Sequence, residues 1–151
     1  LNTANSGFVA YDLPGTANAR ILWRTGRGNF QRTGTAIPGP LPVVSIAATD
    51  ARATESGTDS GLFVLTRTGS TAAPLTVKLT LTGGATDGVD YRRLPPAITI
   101  PAGRTTLAVA VVPLDDVAAE GTEVVNMNIA ASDAYRTVVP TTAAVSIVDN
   151  D

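Results

Sequence analysis

Leu75-Thr76-Val77-Lys78-Leu79-Thr80-Leu81-Thr82 alternates apolar and polar residues without a miss. Successive side chains of an extended strand point to opposite faces, so this pattern buries one face and wets the other. Thr68-Gly69-Ser70 turns the chain before it, and Gly83-Gly84 breaks it afterwards. Similar apolar runs recur on either side. Upstream lie Val43–Ala48 and Leu62–Arg67, with a polar loop over Thr49–Asp59 between them. Downstream lie Ala97–Ile100, Thr105–Val112, the alternating Val125, Met127 and Ile129, and the closing Ala143, Val145 and Ile147. Thr105–Val112 is apolar enough to predict burial on both sides, and Ala134–Val138 is marginal. About seven strands at this spacing predict an all-β, antiparallel β-sandwich. No long run carries a 3.6-residue apolar period, so almost no helix is expected.

The 151-residue chain fits one domain with an appendage. Its net charge of −2 and the absence of a basic patch argue against a nucleic-acid partner. Ten of the eleven cations are Arg, with Lys78 the exception; together with abundant Ala this suggests a GC-rich bacterial genome. With no His and no Cys, Ser–His–Asp catalysis, imidazole acid–base chemistry and His- or Cys-liganded zinc are excluded. No run reaches the roughly 20 apolar residues of a membrane-spanning helix. Leu1 opens without an initiator Met or a charged leader, and Asp151 ends the chain directly after a strand. The sequence is accordingly expected to be a piece of a longer protein.

Residues 1–42 differ from the rest. Phe8-Val9-Ala10-Tyr11-Asp12-Leu13 predicts a short strand, ended by Pro14-Gly15, and Ala19–Trp23 a second strand or an anchored loop. Four of the seven aromatics (Phe8, Tyr11, Trp23, Phe30) lie here, which suggests docking onto a neighbour. Ile37-Pro38-Gly39-Pro40-Leu41-Pro42 is a stiff linker, which places the sandwich at residues 43–151. Tyr11-Asp12-Leu13-Pro14-Gly15, Trp23 and Arg27-Gly28-Asn29-Phe30-Gln31-Arg32-Thr33-Gly34 resemble the tail that closes bacterial β-propeller or FG-GAP-like domains. An extended linker ordered by packing on its neighbour is the alternative.

The carboxylates point to function. Asp115, Asp116, Glu120 and Glu123 fall within nine residues after the run Thr105–Val112. Glu55, Asp90, Asp149 and Asp151 sit in other interstrand or terminal segments, so eight of the thirteen acids belong to this set. Alternate loops of a sandwich reach the same pole, where these side chains are expected to converge. Two like charges 4 Å apart repel by about 1 kcal/mol even in bulk water. Hard oxygen donors in such number favour Ca2+, and more than one ion, over Mg2+, which keeps more of its water. The Ala118 carbonyl is a further candidate ligand. Asp50, Asp59, Asp87 and Asp133 are assigned to ordinary turn chemistry.

The motifs Ala53-Thr54-Glu55-Ser56-Gly57, Phe63–Gly69, Gly84-Ala85-Thr86-Asp87-Gly88-Val89-Asp90-Tyr91, Ile98-Thr99-Ile100-Pro101-Ala102-Gly103, the acidic stretch, and Val145-Ser146-Ile147-Val148-Asp149-Asn150-Asp151 occur in the order and spacing of a Calx-beta domain, which residues 43–151 resemble from end to end. The resemblance implies a seven-stranded, immunoglobulin-like sandwich. Such domains serve as calcium sensors in sodium–calcium exchangers and, often in tandem, in surface and adhesion proteins, many bacterial. Carried over by motif, the ligands are Glu55, Asp90, Asp115, Asp116, Glu120, Glu123 and the triplet Asp149-Asn150-Asp151. Val117 and Asn150 stand where the fuller sensors have acids, which implies fewer or weaker sites.

The resulting expectation is a calcium-binding module, not an enzyme, of an extracellular or cell-surface protein. Its partners would be neighbouring domains or other subunits, with the ion stiffening the exit at Asp151. Two alternatives stand beside it. The first is an assembly subunit that donates its N-terminal segment as a strand. The second is a glycosidase using Asp116 and Glu120, which the lack of an aromatic-lined cleft disfavours.

Overall fold

The computed structural model describes residues 39–56 and 59–151. The strand expected at Phe8–Leu13, the segment Ala19–Trp23, the propeller-like motif and the start of the proline linker lie outside these residues.

Nine strands form in chain order: β1 Val43–Asp50, β2 Arg52–Thr54, β3 Gly61–Thr68, β4 Leu75–Gly83, β5 Ala97–Ile100, β6 Thr106–Val111, β7 Glu123–Ile129, β8 Arg136–Thr137 and β9 Thr142–Val148. No helix occurs among the described residues. One sheet has the order β6-β3-β1-β8 and the other β2-β9-β7-β4-β5. All pairings are antiparallel except β1 with β8 and β2 with β9.

The count of nine corrects the expected seven. Both additional strands are too short to produce an alternating pattern. β1 shifts register between Ala48 and Asp50, and after Ala51 the chain crosses to the other sheet and pairs with β9. Only Ala53 of β2 is fully buried. In β8 both residues are exposed, and the neighbouring Tyr135 supplies the burial instead. Its hydroxyl donates to Ala130 O at 2.7 Å and accepts from Lys78 N at 3.1 Å, so the polar tip of a buried ring is satisfied.

In β4, Leu75, Val77 and Leu79 are buried while Thr76, Lys78 and Thr80 are exposed, which matches the alternation. They pack with Phe63, Leu65, Ile100, Val111, Val125, Met127, Val145 and Ile147 between the sheets. Each large side chain fully removed from water contributes about 1.5–3 kcal/mol. β6 departs from its expected two-sided burial. Val109 and Val111 face the core, but Thr106, Ala108 and Ala110 are exposed on a strand that ends its sheet.

The strand directions sort the loops between two poles. The ends of β2, β4, β6 and β9 and the start of β7 meet at one pole. The β3–β4 turn lies at the other, where buried Arg67 (4% exposed) donates to the carbonyls of Ser70 and Ala73.

Candidate metal centre

Asp90 is one of two acids of the first pole that are buried. Beyond β4 the chain makes a tight turn in which Val89 N and Asp90 N both donate to Thr86 O at 3.1 Å. Thr86 N donates back to the Asp90 carboxylate. Gly88, at φ +83°, takes the left-handed conformation this turn needs. Tyr91, buried to 1% exposure, anchors the next residue in the core, and Leu114 N bonds Asp90 O at 2.9 Å. Asp90 is thereby fixed at 5% exposure beside the acidic loop. Asp87 instead accepts from Leu94 N at 2.9 Å and pairs with Arg93 at 3.7 Å, the turn role assigned to it. Asp50 likewise accepts from Arg52 N within its own segment.

Glu123 opens β7, opposite Ile147 of β9. Burial raises its pKa first, followed by a side-chain hydrogen bond with Asp90 and the charges of Asp90, Glu120 and Glu55. Its Oε2 is buried without a hydrogen-bond partner. One oxygen from each of Asp90, Glu120 and Glu123 lies within 4.8 Å of the others.

Glu55 follows β2 and donates its backbone N–H to Val148 O at 3.1 Å. The residue is 6% exposed, and burial pushes its pKa up, with Asp149, Glu120, Asp116 and Asp90 adding repulsion in that order. Glu120 is exposed, and its pKa is also raised, by desolvation first and then by Asp90, Asp116 and Asp149. Asp149 behaves oppositely. Backbone N–H groups of Asp151, Gly121 and Glu120 hold its carboxyl below the usual range. The bonds to Glu120 N and Gly121 N are 2.7 and 2.9 Å and reach one oxygen, while Asp151 N meets the other at 3.0 Å. Asp149 thus staples the acidic loop to the chain after β9, with Gly121 at φ +79° completing the loop's turn.

Six of the acids singled out in the sequence (Glu55, Asp90, Asp116, Glu120, Glu123 and Asp149) therefore form one electrostatically connected cluster. The remaining candidates stand differently. Asp115 is exposed and contributes to none of these shifts. Ala118 N donates to Asp116 Oδ1 at 2.7 Å, Asn150 is exposed, and Asp151 takes part through its backbone N–H. Thr86 supports the site through its main chain, its N–H meeting the Asp90 carboxylate and its carbonyl closing the turn.

No Arg or Lys among the described residues pairs with the cluster. Among the described residues the one ion pair is Arg93 with Asp87. The donors suit a hard cation. Oxygens on opposite sides of one Ca2+ stand about 5 Å apart, and those of Asp90, Glu120 and Glu123 lie within that distance of one another.

No protein-family model matches the chain, and no curated protein matches its sequence. Solved structures do match. The apo form of the Calx CBD1 domain superposes with a TM-score of 0.56 at 20% identity, covering 74% of this chain and 99% of that one. The Calx CBD2 domain gives 0.52 at 15% identity, over 72% and 87%. The calcium binding domain CBD12 of CALX1.1 gives 0.55 at 21% identity over 71% of this chain, which spans only 45% of that longer one. At these identities the likeness is one of fold, and the fold is that of the Calx calcium-binding domains.

Proposed function

We propose that the sandwich is a calcium-binding module of a larger extracellular or cell-surface bacterial protein. The observation that carries this reading is a buried, partnerless Glu123 oxygen within a cluster of six carboxylates, none of which pairs with a cationic side chain among the described residues. Asp90, Glu120 and Glu123 would hold one ion. Glu55, Asp116 and Asp149, members of the same electrostatic cluster, would share a second. The cation would supply charge neutralisation and a rigid crosslink, and the residues themselves already set the frame. Asp149 fastens the β6–β7 loop to the chain leaving β9, so order at this pole extends to the exit toward a following domain. The naming of the similar CBD12 as a calcium binding domain supports the same reading. A binding role also suits the chemistry better than catalysis. The acids are crowded together instead of standing as one isolated pair, and no histidine is available.

Calorimetric titration with CaCl2, paired with thermal melts in calcium and in excess EGTA, tests the proposal. At a hundredfold excess over Kd, binding adds about 2.7 kcal/mol, a rise in Tm of about 10 °C for a domain of this size. Asp116→Ala should reduce the heat, and Mg2+ should not substitute. No heat of binding together with an unchanged Tm would refute it.

A further inference from the structure

The turn that presents Asp90 is held unequally on its two sides. After Asp90 the chain is fixed. Tyr91 lies in the core, Arg92 N donates to Val112 O at 2.8 Å, and Pro96 O accepts from Leu79 N at 2.8 Å. The limb before Asp90 has weaker support. Past the end of β4 at Gly83, Ala85 N reaches Val124 O only at 3.4 Å. The backbone bonds of Thr86, Gly88 and Val89 close within the turn itself. Yet this limb carries Thr86 N, the donor that meets the Asp90 carboxylate.

One side chain ties the weaker limb to the fixed one. Asp87 Oδ1 accepts from Leu94 N at 2.9 Å, and Asp90 lies between the two residues in the chain. Leu94 packs against the core, so the tie is anchored in the interior. The other Asp87 oxygen meets Arg93 Nε at 3.7 Å, but the Arg93 side chain is 80% exposed, and an ion pair so open to water contributes little. The tie is therefore the hydrogen bond and not the charge. Asp87 is also absent from the charges that act on Glu55, Glu120 and Glu123, which sets it outside the carboxylate cluster.

We infer that Asp87 is a positioning residue of the calcium site and not one of its ligands. By tying the Thr86 limb to Leu94, it keeps Thr86 N against the Asp90 carboxylate and that carboxylate within 4.8 Å of the Glu120 and Glu123 oxygens. The inference rests on the calcium reading of that cluster. Outer hydrogen bonds that orient a ligand govern metal affinity strongly, because a ligand free to turn must be ordered again when the ion binds. The tie requires an acceptor at position 87 and no charge. An asparagine oxygen can make it, and an alanine cannot.

Calorimetric calcium titration of the full chain beside Asp87→Ala and Asp87→Asn tests this, with amide hydrogen exchange of all three in EGTA. Asp87→Ala should bind calcium about tenfold more weakly at unchanged stoichiometry. Its Thr86 and Leu94 amide signals should exchange faster, while the amides of β4 and β7 keep the parent's rates. Asp87→Asn should stay within about twofold of the parent in affinity and restore the slow exchange at Leu94. Parent-like affinity in Asp87→Ala overturns the inference and leaves the calcium reading intact. An Asp87→Asn variant as weak as Asp87→Ala also overturns it, since the charge and not the hydrogen bond would then be what Asp87 supplies. A parent that takes up no calcium removes the calcium reading and this inference together.

Discussion

Glu123 is held where its charge is least welcome. Its Oε2 is buried without a partner, and Asp90, Glu120 and Glu55 all raise its pKa in addition to burial. A carboxylate retained in such a place, with the rest of the pole arranged around it, has its use in the bound state. Glu123→Gln separates the two states because the amide keeps the shape and removes the charge. Without calcium the variant should melt at the same temperature as the parent or higher, since repulsion is relieved. Its calcium affinity should fall at least about tenfold, because affinity follows the count of charged ligands. Paired melts in EGTA and calorimetric titrations check both halves. A loss of stability in EGTA would show that Glu123 is a structural residue and not a ligand. Arg67, at the opposite pole, is the contrasting buried charge: its two terminal nitrogens donate to the carbonyls of Ser70 and Ala73, and its Nε alone is left without a partner.

β4 and β7 bring Glu123 to Asp90, and their pairing ends at Gly83 opposite Val125. Gly83 has φ +132°, and a Cβ there would come within 1.9 Å of Val124 O. The obstacle is backbone of the strand that carries Glu123, so rotamer changes cannot relieve it. Gly83→Ala should therefore destabilise the domain by about 3 kcal/mol and weaken calcium binding as β7 shifts; urea unfolding and titration measure the two effects. The sequence signal at β4 was clear because alternation is local, and one turn of the pattern suffices to assign both faces. β2 and β8 gave no such signal, since two or three residues cannot display a period and their pairing depends on partners nearly a hundred residues away. β6 was misjudged because Ala108 and Ala110 look like core residues, yet alanine exposes so little apolar surface that an open edge tolerates it. Among the acids, the excess carboxylate of the β6–β7 loop was legible by density alone. That Asp149 would spend its oxygens on Glu120 N and Gly121 N, and that Asp115 would stand apart, depended on sheet order and loop closure.

The acidic pole sets the domain's response to pH, because it concentrates carboxyls whose folded pKa values are shifted. Glu55, Glu120 and Glu123 lie above their unfolded value of 4.5, so the native state binds more protons than the unfolded chain in the window above that value. Stability follows the difference in bound protons, so in the metal-free protein it falls as pH rises through this window. Asp149 has the opposite sign, but its window lies below 3.8 and opposes nothing at higher pH; it adds instead to unfolding in strong acid. Calcium requires the same carboxyls deprotonated, so its affinity rises with pH and binding releases protons. The metal-free protein should therefore melt at a higher temperature at about pH 5 than at about pH 7, whereas in saturating calcium the order should reverse. Melts across this range in EGTA and in calcium, with titrations in two buffers of different ionisation enthalpy to count released protons, measure the inversion. A metal-free Tm that climbs from pH 5 to 7 would mean that the raised carboxyls do not govern this pole. Proton release absent from the calcium titration would mean that calcium binds elsewhere.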